Sequence, residues 1–265
     1  MTFGELFTNF FTHKDFLPSA DKIPGTLFTP LHFLVSAILF ALIIALAIFI
    51  SKKNEKTYKI ILTVLWCLLV VLEPTKILWE TFTGREVSFF MQGILPLYAC
   101  SMFMYVLPFY IFGKGLVRHA ACGYIGTLGL VGALINFVYP VNVLGAYSCI
   151  SFAGFHTLFY HGSMLFVALS MFLRGDNRFT HVDSLKKLLT PMIPVLIFSV
   201  PVNIVNFTFD ADYMFFKCNS FILAPIGNAL PTPVVVILMY LFYIILHTAP
   251  YLPSYIKNRK NRTIS

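Results

Sequence analysis

The sequence predicts an all-α integral membrane protein, a bundle of seven transmembrane helices. Of its 265 residues, 58% are hydrophobic and only 11% are charged, whereas soluble domains carry roughly 25% charged residues. The mean hydropathy is +0.81, and apolar stretches long enough to cross a bilayer recur along the chain. A soluble fold has no way to bury this much apolar surface, so the sequence requires a lipid environment.

Seven stretches have the length of about 20 mostly apolar residues that a helix needs to span the hydrocarbon core. They lie at 31–50, 60–80, 93–113, 120–139, 151–173, 188–207 and 232–250. The third and fifth stretches are clean apolar runs. The sixth contains Pro191, Pro194 and Pro201, which predict a kink, because each proline removes a helical hydrogen bond.

The distribution of basic residues predicts the orientation, since cytoplasmic loops are enriched in Lys and Arg. Seven spans place 14 of the 19 basic residues on one side of the membrane and four on the other, with Lys76 inside a span. The N-terminal segment 1–30 is then extracytoplasmic, the domain 31–250 lies in the membrane, and the basic tail 251–265 is cytoplasmic. We expect a multi-pass protein of the cell membrane.

Two connecting segments allow alternative interpretations. The first 16 residues form either a short amphipathic helix on the outer interface or a disordered leader. The apolar residues of that helix would be Phe3, Leu6, Phe7, Phe10 and Phe11. The loop 208–231, rich in Pro and Gly near its end, either dips into the bilayer as a lid or forms a surface turn. Residues 1–30 lack the basic start of a cleavable signal peptide, so the first span is expected to direct insertion.

Polar side chains inside the predicted spans gather in the outer half of the bilayer. Helical rise places Cys100 about 10 Å below the outer end of the third span. The polar set comprises Glu73, Lys76, Cys100, Asn136, His156, His161, Asn203 and Asn206. Because polar groups in hydrocarbon are costly, this segregation predicts a single polar cavity that opens toward the extracytoplasmic side or the outer leaflet.

Cys100 and His161 are the candidate catalytic pair, because they lie at similar predicted depths on different spans. A thiol beside an imidazole can act as a thiolate nucleophile, with the histidine as base. The structural alternatives are a small packing cysteine and a histidine that bridges helices. His156 lies five residues from His161, so the two side chains cannot face the same point.

The remaining polar residues are candidates for supporting roles. Glu73 and Lys76 lie three residues apart and either form a structural ion pair or serve the site, with Glu73 orienting a histidine. Asn203 and Asn206 either supply hydrogen bonds to substrate or join helices. Cys149 and Cys218 both fall in predicted extracytoplasmic loops, where a disulfide is one alternative.

Several function classes have no support in the sequence. The net charge of +8 follows from the basic cytoplasmic loops, so nucleic-acid binding is not expected. There is no CxxC or HExxH spacing and no Gly-rich phosphate loop, so we expect neither a metal nor a cofactor. Chains of intramembrane carboxylates typical of proton pumps are absent, as is an arginine series typical of voltage sensors.

Short motifs in order along the chain resemble the YwaF-like family of bacterial multi-span proteins. The motifs are Glu73-Pro74-Thr75-Lys76, Leu95-Pro96-Leu97-Tyr98-Ala99-Cys100-Ser101, Phe155-His156-Thr157-Leu158-Phe159-Tyr160-His161-Gly162, and the turn Pro225–Pro233. Tyr98 is a further candidate for binding or supporting the substrate, although that family often has a histidine at this position, so Tyr98 departs from the family pattern.

The resemblance extends to animal membrane acyltransferases that remodel ether phospholipids. It implies a CoA-independent lipid acyltransferase in a bacterial plasma membrane, with Cys100 as nucleophile and His161 as base. Phospholipid or lysophospholipid would be the partner molecule. A small-solute transporter that uses the same cavity, or a non-catalytic membrane module, is the alternative function.

Overall fold

The computed structural model describes residues 10–13, 16, 27–84, 90–176, 182–219 and 223–264. Within these ranges all regular secondary structure is helical, as predicted. Helices satisfy their own backbone N–H and C=O groups, which suits a chain whose outer surface faces lipid rather than water.

The helices follow one another with short connections. They are α1 (Pro30–Ser51), α2 (Glu55–Thr83), α3 (Met102–Phe112), α4 (Gly115–Tyr124), α5 (Leu130–Val138), α6 (Val141–Leu144), α7 (Phe152–Arg174), α8 (Leu185–Leu189), α9 (Ile193–Phe209), α10 (Ala224–Ala229), α11 (Thr232–Thr248) and α12 (Leu252–Ile264). π-Helical turns lie at Phe90–Ile94 and Ile125–Gly129. 3₁₀ turns lie at Thr190–Met192, Tyr213–Phe215 and Ala249–Tyr251.

Six helical stretches in the described part of the chain are long and apolar enough to cross a membrane. They are Pro30–Ser51, Glu55–Thr83, Gly115–Leu144, Phe152–Arg174, Leu185–Phe209 and Thr232–Arg259. Each contains one of the predicted spans to within a few residues, which confirms a multi-pass membrane protein. The count of seven and the orientation of the termini stay predictions.

The predicted third span, 93–113, is not one continuous helix. Only Met102–Phe112 is α-helical, and its 11 residues are fewer than a spanning helix needs. Residues 95–101 are non-helical between the π-turn and α3. Pro96 explains part of the break, since proline supplies no N–H and disfavours the α conformation of the residue before it.

Local sequence explains where the neighbouring helices start and where one is interrupted. The Thr29 side chain accepts from the His32 N–H at the start of α1, and Asn54 accepts from the Thr57 N–H at the start of α2; both are typical N-cap bonds. In the predicted sixth span the α-helix gives way to the 3₁₀ turn Thr190–Met192, which contains Pro191; the kink itself stays a prediction.

The first of two compact units comprises Met1–Phe90 and Val131–Ser170. Inside it the Tyr58 hydroxyl lies 3.0 Å from the Ser170 hydroxyl, joining α2 to α7. Gly162 allows α7 to pass close to α1, since a Cβ there would lie 3.3 Å from Cδ1 of Ile43. Apolar side chains on α1 are exposed, as expected of a lipid-facing surface; they include Phe33, Leu34, Ile38, Leu42 and Phe49.

The second unit comprises Met91–Leu130 and Met171–Ser265. Its fully buried side chains include five large aromatic groups, Phe103, Tyr124, Tyr213, Phe216 and Tyr243. Two elements approach each other without intervening side chains at Gly123, where a Cβ would lie 2.3 Å from Cβ of Pro191. Tyrosines in this core bring hydroxyl groups to places where backbone groups need partners.

The predicted segments outside the spans are described only in part. Most of the proposed interfacial helix lies outside the described residues; Phe11, within them, accepts a 2.7 Å hydrogen bond at its carbonyl from the Trp79 indole. The loop 208–231 contains the helix Ala224–Ala229, and its role as a lid stays a prediction. The basic tail is helical over Leu252–Ile264.

The close approach at Gly123 generates a stability prediction. Gly123→Ala forces Cβ into Pro191, and overpacking of this kind costs roughly 1–3 kcal/mol of unfolding free energy. The measurement is unfolding of the purified protein in mixed micelles titrated with sodium dodecyl sulfate.

Gly132→Ala is the matched control. The nearest atom to a Cβ at Gly132 is Cε of Met164 at 3.9 Å, so alanine there should be neutral or stabilise the helix by about 0.5–1 kcal/mol. Equal stability of the two variants would contradict the close packing at Gly123.

Candidate functional site

The non-helical stretch Leu95–Ser101 carries the candidate nucleophile, and tyrosine side chains hold its backbone. The Leu95 N–H donates to the Tyr213 hydroxyl over 3.0 Å. The Tyr124 hydroxyl donates to the Ala99 carbonyl over 2.8 Å. The backbone on either side of this break is therefore fixed inside the second unit by two fully buried tyrosines.

Tyr98 contributes to the same break. Its hydroxyl donates to the Gly93 carbonyl over 3.0 Å, and its ring meets the Tyr213 ring edge-on with centroids 4.9 Å apart. The sequence predicts that Tyr98 binds or supports a substrate, whereas in the second unit its hydroxyl holds the backbone carbonyl of Gly93.

Cys100 lies two residues before the first residue of α3 and is half-buried. The amide groups at a helix N-terminus stabilise a nearby negative charge, which favours a thiolate. Cys122 is buried and Cys67 is exposed, and both lie within helices. Of these three cysteines, Cys100 is the one that lies at the end of a helix, where a reactive cysteine is expected.

The two asparagines predicted as supporting residues have hydrogen-bond partners within the second unit. The Asn206 amide donates to the Tyr213 carbonyl over 2.9 Å and accepts from the Tyr213 N–H over 2.8 Å. The Asn203 amide donates to the Tyr240 hydroxyl over 3.0 Å, joining α9 to α11. Both arrangements favour the alternative in which these amides hold the protein together.

The loop 210–219 presents Tyr213 to the break. The Asp212 carboxylate accepts from the N–H groups of Lys217 and Asn219, and Lys217 lies 2.6 Å from Asp210. The hydrogen bond and charge of Lys217 lower the pKa of Asp210. Cys218 carries a free thiol in the structure, and its disulfide with Cys149 stays a prediction. Burial and then the charge of Asp212 raise the pKa of the Cys218 thiol.

In the first unit the predicted Glu73–Lys76 pair is replaced by two other pairs. Nε2 of His156 lies 3.1 Å from Oε2 of Glu73, and both side chains are about nine-tenths buried. Lys76 lies 3.1 Å from Glu80, one turn further along α2. Glu73 and Lys76 thus have different close partners, although the charge of Lys76 still acts on Glu73. The alternative, that Glu73 orients a histidine, agrees with the structure.

His161 has a defined hydrogen-bond pattern in the first unit. Its Nδ1 lies 2.8 Å from the Thr157 carbonyl, to which an Nδ1–H donates. That bond selects the tautomer in which Nε2 keeps its lone pair, as a base requires. The Thr157 hydroxyl lies 3.4 Å from Nδ1 of His161 and donates to Oδ1 of Asn136 over 3.4 Å, which connects Asn136 to the histidine.

The structure therefore groups the predicted residues within each unit. Cys100 is accompanied in the second unit by Tyr98 and by the loop that Asn206 holds. Glu73 and His156 form one pair in the first unit, and His161 joins Asn136 through Thr157. Among the described residues, no group of three or more His, Cys, Asp and Glu side chains is arranged to hold a metal ion.

Sequence reasoning missed Tyr124, Tyr213, Thr157 and His247. Tyr124 and Tyr213 act through hydroxyl groups on residues distant in sequence, which depth along a span cannot reveal. Thr157 had a local signal, since it lies four residues before His161. His247 is fully buried, and its Nδ1 lies 2.7 Å from the Tyr243 carbonyl. Because it lies near the inner end of a predicted span, depth did not group it with the other polar residues.

Comparison with known proteins identifies a family. The model of the TMEM164 family matches residues 27–254 of the chain. The match takes in every helix from α1 to α11, and with them Cys100, His161, Glu73 and His156. No curated protein and no solved structure matches the chain.

The Glu73–His156 pair generates a second prediction. Replacing Glu73 by Gln and His156 by Gln, singly and together, should give non-additive losses of unfolding free energy, with a coupling of roughly 0.5–3 kcal/mol. Unfolding in mixed micelles measures all four proteins of the cycle.

Glu80→Gln in place of Glu73→Gln provides the control cycle. Glu80 lies on the same helix but pairs with Lys76, so its change should add to that of His156 within about 0.5 kcal/mol. Equal coupling in both cycles would mean that Glu73 is not the specific partner of His156.

Proposed function

The chain belongs to the TMEM164 family, and from this premise we propose that it is a membrane-embedded lipid acyltransferase in which Cys100 is the nucleophile. The observation that carries the proposal is the place of Cys100, in a non-helical break at the N-terminus of α3 whose backbone is held by buried tyrosines. A structural cysteine needs no such arrangement, whereas a nucleophile must be fixed and stabilised as a thiolate.

The proposed reaction has two steps. The Cys100 thiolate attacks the acyl ester carbonyl of a phospholipid, the carbon–oxygen bond breaks, and a thioester and a lysolipid alcohol form. His161 takes the thiol proton and returns it to the leaving oxygen. In the second step the hydroxyl of a lysophospholipid gives its proton to His161, attacks the thioester and regenerates the thiol. Transfer to water instead would make the protein a lipid hydrolase.

The tautomer of His161 supports its proposed role. Since Nδ1 is held by the Thr157 carbonyl, Nε2 is the atom that would accept the proton. The buried carboxylate of Glu73 beside His156 supplies negative charge in the same unit, and such charge stabilises an imidazolium. We assign Glu73, Lys76, Asn136 and His156 supporting roles around the base, and Tyr98, Asn203 and Asn206 supporting roles around Cys100.

Lipid substrates fit the exposed surface of the chain better than soluble ones. The helices that are long enough to span a bilayer expose apolar side chains over much of their length, and the proposed acyl donor and acceptor both reside in the membrane. We further propose that the chain crosses a bacterial plasma membrane seven times, with its N-terminus on the extracytoplasmic side. The chain is then related to YwaF-like proteins and to cysteine-dependent phospholipid acyltransferases, as the resemblance of its sequence motifs implies.

The third prediction tests the thioester. The purified protein in lipid is incubated with a phospholipid that carries a labelled acyl chain, without coenzyme A, and intact and peptide mass spectrometry follow. The expected result is an acyl adduct on Cys100. It should be absent in Cys100→Ala and should form about 10²–10⁴-fold more slowly in His161→Ala, because general base catalysis is lost.

Cys67→Ala is the control, because Cys67 is an exposed thiol on α2; its adduct formation should equal that of the unaltered protein. Full lipid turnover by Cys100→Ala would overturn the mechanism. Absence of both adduct and turnover in folded protein, together with flux of a solute into sealed vesicles, would instead establish the transport alternative.

A further inference from the structure

Tyr213 connects a distant loop to the segment that carries Cys100. Its hydroxyl accepts from the Leu95 N–H over 3.0 Å, and its ring packs edge-on against Tyr98. The side chain is fully buried. Leu95 opens the non-helical break, and Pro96 follows it with no N–H of its own. The hydroxyl of Tyr213 therefore satisfies the N–H at the start of the break.

Three hydrogen bonds fix Tyr213 and its neighbour. The Asn206 amide pairs with both the N–H and the carbonyl of Tyr213, at 2.8 and 2.9 Å. The Tyr243 hydroxyl donates to the Met214 carbonyl over 2.8 Å. Asn206 and Met214 are both buried. These bonds fix the backbone of Tyr213, and the full burial of its ring together with the contact to Tyr98 fixes the place of its hydroxyl.

The loop holds this shape with an unusual backbone. Asp210, Met214, Phe215 and Cys218 have φ angles between 52° and 57°, a left-handed conformation that is energetically unfavourable for non-glycine residues. Gly227 allows the loop to pack closely, since a Cβ there would lie 2.6 Å from the carbonyl oxygens of Lys217 and Cys218. Strained residues persist only where the surroundings determine them, and function is a common reason.

We infer that Tyr213, presented by the loop 210–218, is a positioning residue that sets the geometry of Cys100. The inference rests on the proposed role of Cys100 as nucleophile. Tyr213 holds the start of the break and Tyr124 holds its end, so the thiol has a fixed place at the N-terminus of α3. Since a displacement of about 1 Å can cost an enzyme 10²-fold in rate, the loop controls acyl transfer without touching the lipid.

Tyr213→Phe tests the inference because it removes the hydroxyl and keeps the ring. We expect the maximal rate of acyl-adduct formation on Cys100 to fall about 10–100-fold while the lipid concentration at half-maximal rate stays unchanged. A second readout needs no lipid: the pH dependence of maleimide alkylation at Cys100, mapped by peptide mass spectrometry. The midpoint of that profile should rise by about half a pH unit, as the thiolate loses its place at the helix N-terminus.

Tyr58→Phe is the matched control. Tyr58 is equally buried and its hydroxyl joins α2 to α7 in the first unit, so its loss removes a comparable hydrogen bond away from the break. The maximal rate of adduct formation, the lipid concentration at half-maximal rate and the alkylation profile should all match those of the unaltered protein. Asn206→Ala, which removes both hydrogen bonds to the Tyr213 backbone and leaves the Tyr213 side chain intact, should give an intermediate loss and serves if Tyr213→Phe does not fold.

The outcomes separate this inference from the proposed function. An adduct on Cys100 that forms at the same rate in Tyr213→Phe and in the unaltered protein, with the same alkylation profile, overturns the positioning role alone. Absence of any adduct in the unaltered protein overturns the proposed function. In that case a changed alkylation profile in Tyr213→Phe would still establish that the loop sets the environment of Cys100.

Discussion

Backbone groups in an apolar surrounding must have hydrogen-bond partners, and in the second unit the segment 95–101 is a place where a helix does not supply them. Between residues 95 and 101 the chain leaves the helical conformation, so nearby groups must take the place of the missing helical bonds. Tyr124 and Tyr213 provide two of them from distant parts of the sequence. The loop 210–218, with its left-handed residues and its paired Asn206, brings the Tyr213 hydroxyl to the Leu95 N–H.

Much of the helical architecture can be predicted from the sequence, because apolar length is sufficient to identify a spanning segment. Six of the predicted segments coincide with long apolar helices. The segment at 93–113 does not, since hydropathy averages over a proline and cannot tell a continuous helix from a break followed by 11 helical residues. The bond that stabilises the break comes from Tyr213, more than 100 residues later, and no local pattern contains that information.

The site residues illustrate the same limit. Depth along a span selected Glu73, His156 and His161 as polar groups of one region, and the structure places Glu73 against His156. Spacing on one helix suggested Lys76 as the partner of Glu73, but Lys76 pairs with Glu80, four residues on. A neighbour on the same helix must compete with groups on other helices, and one sequence does not say which helix packs against which.

The π-helical turn at Ile125–Gly129 has a consequence for comparing relatives. A π-turn accommodates one more residue than an α-helical turn in the same place, so the helical phase changes between Tyr124 and Leu130. Residues before and after it do not share one 3.6-residue periodicity, and a helical wheel drawn across it assigns one half to the wrong face. A relative with a regular α-helix here would align only with a one-residue gap. In such a relative the equivalent of Tyr124 would face a different direction relative to the residues after the turn.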